Sequence, residues 1–397
     1  MIRGKIFFKN KIVEAGIEVE NGVIKRLSKL VKGKEVKGLI LPAAIDVHVH
    51  FRDFEEKHKE TIETGSLSAL HGGVCLVIDQ PNTKPLVDDF EEYNRRMKIA
   101  EKRSFVDYSL NLALTKKNVT KINEIVEKVK EKYHLPAVGE VFLQSFNEEL
   151  QMSYDDLKSI KHKVTLHAED PEFVEIGHPN FLFRKREAEI VAVKKCLEIG
   201  KFHFCHISTR EAAEILSRSD STFEVSPHHL LLSIEDRWKL GNMVNVNPPL
   251  RSKEDSSWLL KNFEEIDVLA SDHAPHTVEE KLDGAAGFPG VETTYPMFIY
   301  LASVGFIKLE TLVEKFVKNP AKIFGFEKYG EIEVGKFANF AVFDLKDVET
   351  IKASKLHSKC NWTPYEDFKA IFPKEVYIRG EEAKNCSEAL GKVLRKD

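Results

Sequence analysis

The sequence predicts an α/β fold, a TIM-like (β/α)8 barrel with a small β domain built from both chain ends. Three observations carry that prediction. Between about residues 38 and 325, short apolar runs alternate with stretches of helical periodicity, a pattern that implies a parallel sheet with helices outside. Six or more such units over ~280 residues favour closure over an open sheet. Both ends of the chain, by contrast, read as alternating strands without helices. At 397 residues the chain exceeds one ordinary core and fits a barrel of roughly 250 residues plus a smaller domain. The expected division is 1–45 with 326–397 for the β domain and 46–325 for the barrel.

Taken in order, residues 1–37 hold strand-like runs such as Gly16-Ile17-Glu18-Val19-Glu20 and Val23-Ile24-Lys25-Arg26-Leu27. The Asn21-Gly22 pair between them is a hairpin signal. An apolar run over 38–45 then leads into the first barrel strand. Further strands are expected at 74–79, 107–112, 137–142, 164–167, 203–207 and 268–272, with helices near 88–103, 118–132, 184–199 and 209–218. Residues 91–96 read as a solvated helix face, and 57–60 as a loop over the site without an assigned partner. From 330 to 344 the pattern is β-like again. No internal repeat, low-complexity tract or flexible linker interrupts the chain.

Composition excludes several classes. With 59 basic against 63 acidic residues, charge offers no argument for nucleic acid or an anionic membrane. Cys75, Cys196, Cys205, Cys360 and Cys386 are scattered and contain no Cys-x-x-Cys. That pattern argues against a disulfide framework or a zinc ribbon and favours a reducing cytoplasm. The first ten residues lack the apolar stretch of a signal peptide, and no run approaches the ~20 apolar residues of a membrane span.

The chemistry concentrates in Asp46-Val47-His48-Val49-His50-Phe51-Arg52-Asp53. Read as a strand of period 2, the segment points His48 and His50 to one side. Two imidazoles so placed can share one divalent metal. Arg52 is expected to continue on that face, where a planar guanidinium suits a carboxylate. Taken alone, His-x-His is a common strand feature; the rest of the chain changes its weight. His48, His50, Glu140, His167, His206 and Asp272 all fall in or at the ends of expected barrel strands, where parallel barrels carry their chemistry. Four histidines and two carboxylates suit two metals, which acidify water and polarise a carbonyl. Asp272 can relay a proton from nucleophile to leaving nitrogen.

Five motifs then make the chain similar to the amidohydrolase superfamily and, within it, to the dihydroorotases, which interconvert carbamoyl aspartate and dihydroorotate. They are the octapeptide, Gln80-Pro81-Asn82-Thr83, His206-Ile207-Ser208-Thr209, Asn247-Pro248-Pro249-Leu250-Arg251 and Asp272-His273-Ala274-Pro275-His276. The segment Gly335-Lys336-Phe337-Ala338-Asn339 resembles the superfamily's β-domain signature, with Asn339 where Asp is usual. The resemblance implies that His48 and His50 bind the more buried metal, completed by Asp272 as general base and acid. It implies that His167 and His206 bind a second metal, zinc in both cases, with cobalt or manganese as substitutes. Arg52, Asn82 and His276 match positions that hold the substrate carboxylate. Asn247 matches a substrate contact, and the backbone near Ala286 and Gly287 matches a contact to the ring amide. Association with aspartate transcarbamoylase is a further expectation of the resemblance.

One departure stands out. Glu140 occupies the position where many dihydroorotases carry a carboxylated lysine. Either its carboxylate bridges the metals in place of the carbamate, or it faces elsewhere and a single metal remains. Other residues receive plainer readings: His71 as a helix end, His178 as a solvated loop residue, His228 and His229 as structural residues at the rim, and His273 as packing behind the site. Arg251 is open between substrate and loop ordering, and Asp79 has no role. The competing functions are an allantoinase or hydantoinase-type ring hydrolase, and a non-catalytic scaffold for the transcarbamoylase.

Overall fold

The computed structural model describes residues 1–175, 180–386 and 388–396; His178 lies outside them. At the amino terminus β1 (Ile2–Phe8), β2 (Lys11–Glu20), β3 (Val23–Ser28) and β4 (Lys34–Pro42) follow one another. The β2–β3 turn places Asn21 at φ 51° and Gly22 at φ 79°, the two left-handed residues that a tight hairpin requires.

Eight parallel strands come next: β5 (Ala44–Val49), β6 (Val74–Asp79), β7 (Asp107–Leu110), β8 (Val138–Phe142), β9 (Val164–His167), β10 (His203–Phe204), β11 (Thr222–Val225) and β12 (Val268–Leu269). β5 to β7 pair in sequence, as do β8 to β12. Parallel bridges at Leu112–Val138 and Val49–His273 join the two arcs, which closes the barrel. Continuous apolar runs such as Val74-Cys75-Leu76-Val77-Ile78 are buried along their length, as strands covered on both faces must be.

The chain end returns as β13 (Phe340–Phe343), a short hairpin of β14 (Glu349–Thr350) and β15 (Lys369–Ala370), β16 (Glu375–Ile378) and β17 (Glu381–Glu382). One seven-stranded sheet orders them β17-β16-β13-β4-β1-β2-β3, with β13 antiparallel to β4. Ile6, Ile17, Ile40, Phe340 and Val342 form its own small core. Among the described residues no helix is long and apolar enough to cross a membrane.

Three differences from the sequence reading have one physical cause. The strands expected over 203–207 and 268–272 stop at Phe204 and Leu269. His206 at φ 34° and Asp272 at φ 47° leave the extended ladder to turn their side chains into the barrel mouth. Likewise Arg52, at φ 50°, is not on the His48–His50 face by alternation, because the strand has already ended at Val49. Of the expected β-like stretch 330–344, only Phe340–Phe343 is strand, since Gly330 and Gly335 take φ 96° and 91°.

The face 91–96 is not wholly solvated either. Arg96 is fully buried. Its Nη2 donates to Asp79 Oδ2 at 2.6 Å, and its Nη1 donates to the Arg52 carbonyl at 2.9 Å. Asp79 also accepts from Tyr108 Oη at 2.5 Å and from the Phe51 amide at 2.9 Å. This gives Asp79 a place: with Arg96 it holds the 51–52 backbone in the turn that follows β5. Burial opposes charge on Arg96, but Asp79 and Tyr108 outweigh it and hold the guanidinium protonated. Breaking one partner of such a buried pair costs about 3–5 kcal/mol. Arg96→Met is therefore expected to lower the urea midpoint strongly, with Asp79→Asn added to it recovering part of the loss; an unchanged midpoint in Arg96→Met would contradict this account.

Candidate active site

A cavity of about 170 Å3 opens at the carboxyl ends of the barrel strands. Its wall includes His50, Glu140, His167, His206 and Asp272, together with Arg52, Asn82, Asn247, His276, Ala286 and Gly287. His48 lies directly behind, fully buried. The structure thus brings together every residue that the sequence reading assigned to the site.

The hydrogen bonds on the outer side of each ring decide what faces inward. A carboxylate only accepts, so His48 Nδ1, bonded to Glu224 Oε1, must carry the proton. His48 Nε2 is then a lone pair, buried and without a hydrogen-bond partner. It faces Glu140 Oε2 at 3.5 Å and Asp272 Oδ1 at 3.6 Å. His167 repeats the pattern. Its Nε2 donates to Glu169 at 2.7 Å, leaving Nδ1 toward Glu140 Oε1 at 3.1 Å and His206 Nε2 at 3.2 Å. His50 Nδ1 lies 2.9 Å from Asn82 Oδ1, and its Nε2 lies 3.4 Å from Asp272 Oδ1. The lone pairs of His48, His50 and His167 and the two carboxylates therefore converge, with His206 Nε2, 2.6 Å from Glu140 Oε1, the one ring whose proton no outer partner fixes. Only a cation or extra protons relieve such an arrangement.

The separations fit a metal. Ligands at ~2.0–2.1 Å around a tetrahedral ion lie roughly 3.4 Å apart; the His48, His50 and Asp272 atoms are spaced by 3.4 and 3.6 Å. Among the described residues, the groups of ligand atoms that meet here include His48–His50–Asp272 and His48–Glu140–His206. Glu140 lies between the two sets: one oxygen faces His48, and the other faces His167 and His206, the latter at 2.6 Å. Burial would push the Glu140 carboxyl up, yet His48, His167 and His206 hold it well below the usual range. His48 shifts the opposite way. Burial disfavours its charge, but Glu224 and Glu140 raise its pKa well above the ordinary value.

Several residues here escaped the sequence reading. Glu224 also receives His203 Nε2 at 3.2 Å and belongs to β11, a strand not singled out from sequence. Glu169 is fixed by Arg184 Nη2 at 2.5 Å, and Arg184 lines the cavity. Both carboxylates orient an imidazole from behind, as partners of metal-binding histidines do. His228 is not at the rim; it is fully buried with Nε2 3.7 Å from Asp272 Oδ2. His273 receives the Gly290 amide at 3.1 Å and faces Glu60 at 3.5 Å, so Glu60 is a buried support and not part of an unpartnered loop. Arg251 bonds Ser208 Oγ and the Arg184 carbonyl and stands outside the cavity wall. Lys281 is fully buried, with Nζ donating to the Asn245 carbonyl at 2.5 Å and the Ala285 carbonyl at 2.8 Å. It ties the 284–287 loop to the wall. The Gly287 amide is committed to the same Asn245 carbonyl at 3.1 Å.

Two outcomes follow from this geometry. Glu224→Gln is expected to lower metal affinity about 10–100-fold, measured by metal content after competition with a chelator, with the fold intact by circular dichroism; unchanged affinity would remove Glu224 from the site. Burial pushes the Lys281 ammonium from 10.5 down to about 7. Between those values the unfolded chain holds a proton that the folded one has lost, so the Lys281 contribution to stability rises with pH. Lys281→Met should flatten the slope of unfolding free energy against pH over that window; an unaltered slope would contradict the assignment.

The Amidohydrolase family model matches residues 39–382. A dihydroorotase of Archaeoglobus fulgidus is 63% identical over 100% of both chains, and one of Pyrococcus furiosus is 40% identical over 99% of this chain and 94% of its own. Among solved structures, an L-hydantoinase from Arthrobacter aurescens superposes with a TM-score of 0.91 at 23% identity, covering 99% of this chain and 98% of its own. A D-hydantoinase from Thermus sp. gives 0.87 at 22%, again over 99% and 98%. At that identity the hydantoinases attest the shared fold, while the archaeal sequences match throughout. A barrel whose strand ends gather four histidines, Glu140 and Asp272, joined to a β domain from both termini, is thus placed by descent as well as geometry: the chain belongs to the amidohydrolase family, among its dihydroorotases.

Proposed function

We propose that the protein reversibly cyclises N-carbamoyl-L-aspartate to L-dihydroorotate, a step of de novo pyrimidine (UMP) synthesis. The observation that carries this reading is Arg52. Its guanidinium is buried at 7% exposure, lines the cavity and makes no ion pair among the described residues. It donates to the Pro275 carbonyl at 3.3 Å and to His276 Nε2 at 3.2 Å, the His276 Nδ1 proton being turned to Glu280. Against burial, its charge lowers the pKa of Glu56, but no carboxylate forms an ion pair with it, and a buried cation matched only at a distance, without an anion in contact, is costly. A ring carboxylate supplies that anion, and hydantoin or allantoin rings have none to offer.

The roles then divide along the cavity. Arg52, Asn82 and His276 hold the carboxylate at one wall. Asn247 and the backbone near Ala286 and Gly287 receive the ring amide opposite. His48, His50 and Asp272 would hold one zinc, and His167, His206 and Glu140 would hold a second. The metals, when bound, supply Lewis acidity that acidifies water and polarises a carbonyl. Asp272 lines the cavity beside His50 and His48, at 3.4 and 3.6 Å; there it would accept the proton from the attacking water in ring opening and return it to the ring nitrogen as the C–N bond breaks. Ring closure reverses these transfers. The five unpaired thiols suit a reducing cytoplasm.

Arg52→Gln is expected to reduce kcat/KM for dihydroorotate at least about 30-fold, the cost of removing one side of a buried charge pair. Hydantoin turnover should stay negligible in both forms. Turnover of hydantoin by the wild type exceeding that of dihydroorotate would sink the assignment. Metal content per chain tests Glu140 separately: two in the wild type falling to one in Glu140→Ala, with lost turnover, is the expected result, and one metal with full activity in both would make Glu140 a bystander.

A further inference from the structure

Outside the catalytic cavity, a second set of ligand-type side chains meets where three distant segments cross. His71 ends the helix Ile62–His71. Glu292 precedes the helix Thr294–Ser303. His357 follows the 3-10 turn Ala353–Lys355. We propose that His71, Glu292 and His357 form an accessory site for a zinc-class divalent cation that fastens the carboxyl-terminal segment to the barrel.

Ligand atoms of the three residues lie within 4.8 Å of one another. The two imidazoles stack with centroids 3.6 Å apart at 24°. His357 Nδ1 lies 2.8 Å from Glu292 Oε1, and the His357 amide donates to Glu292 Oε2 at 2.8 Å. A carboxylate that grips an imidazole in this way fixes the ring and its tautomer, as behind known metal ligands. His71 has no hydrogen-bond partner on either ring nitrogen among the described residues, so its lone pair is unclaimed. Burial, with the nearby His357 and Lys384, pushes its pKa down to about 3, which keeps it in the neutral form that metals bind.

Two histidines and one glutamate with an open position are a zinc ligand set, and imidazole nitrogens favour late first-row ions over magnesium or calcium. The three residues line a cleft of about 200 Å3, so an ion has a route in. Lysines also line this cleft, but two are engaged elsewhere: Lys352 pairs with Glu366 and Asp367, and Lys384 donates to the Pro373 carbonyl. Lys355 is exposed. None of the three proposed ligands lines the catalytic cavity. The sequence reading of His71 as a helix end holds for its place in the helix, but its neighbours come from segments no local pattern could connect.

The test uses the holoenzyme with its catalytic metal in place. Zinc ion is added to wild type, His71→Gln and His357→Ala, excess is removed by gel filtration, and zinc per chain is counted alongside Tm and turnover. The expected result is one equivalent more in the wild type than in either variant, a Tm that rises on zinc addition only in the wild type, and equal dihydroorotate turnover in all three. Equal zinc content in the three proteins would overturn the proposal. The comparison is a difference between proteins, so it reads the same whether the catalytic centre holds one metal or two.

Discussion

Groups that accept but do not donate are gathered behind the barrel mouth, and the remainder of the site is arranged around that fact. His48 Nε2, His167 Nδ1, Glu140 and Asp272 are all buried. In an ordinary core they would each be paired with a donor. Here the donors have been spent on the outside: His48 gives its proton to Glu224, and His167 gives its proton to Glu169. The inward faces are left as lone pairs aimed at carboxylates. Such a concentration of lone pairs and carboxylates suits a cation, so metal binding and the local fold are coupled.

The supporting shell explains where the rigidity comes from. Glu169 is held by Arg184, Asp79 by Arg96 and Tyr108, and Glu224 by His203. Buried ion pairs of this kind add little net stability compared with apolar packing. What they supply is position. Arg96 and Asp79 hold the turn at Phe51 and Arg52, where three consecutive residues, Arg52, Asp53 and Phe54, take positive φ. Gly65 lets the following helix approach that turn, since a Cβ there would meet the Phe51 ring at 2.4 Å. Strain at the strand end is thus carried by a fully satisfied polar network and a close helix contact.

Barrel periodicity, the Asn21-Gly22 hairpin and the four histidines, Glu140 and Asp272 were legible in the sequence, because each is carried by a local run or a short motif; Arg184 of the cavity wall was not. What was not legible depends on contacts between distant segments. Arg96 sits in a charged run that reads as solvent-exposed, and the packing of its helix on the barrel, beside Asp79 and Tyr108, buries it. Glu224 belongs to Thr222-Phe223-Glu224-Val225, a four-residue strand too short to stand out; counting to the eighth strand would have found it, with its carboxylate opposite Phe223. Alternation also misplaced Arg52, since period 2 holds only while the backbone stays extended. His206 and Asp272 ended their strands early for the same reason. The ligands themselves break the pattern that predicts them.

The charge balance of the cavity favours the proposed substrates over neutral rings. Under the proposed assignment, two divalent metals against Glu140 and Asp272 would leave a positive excess, and Arg52 adds to it. Arg184 does not, since Glu169 neutralises it. Such a cavity in a low-dielectric wall draws anions. Carbamoyl aspartate brings two carboxylates, and closing the ring consumes one of them together with a proton. In the proposed assignment the remaining carboxylate stays opposite Arg52 in both directions of the reaction. That contact would stabilise open and closed forms alike and serve to bind and orient, while the groups around Asp272 would face the carboxylate that appears and disappears. Interactions that change between ground and transition state are the ones that accelerate the reaction, and in this cavity they are confined to the wall of histidines and carboxylates.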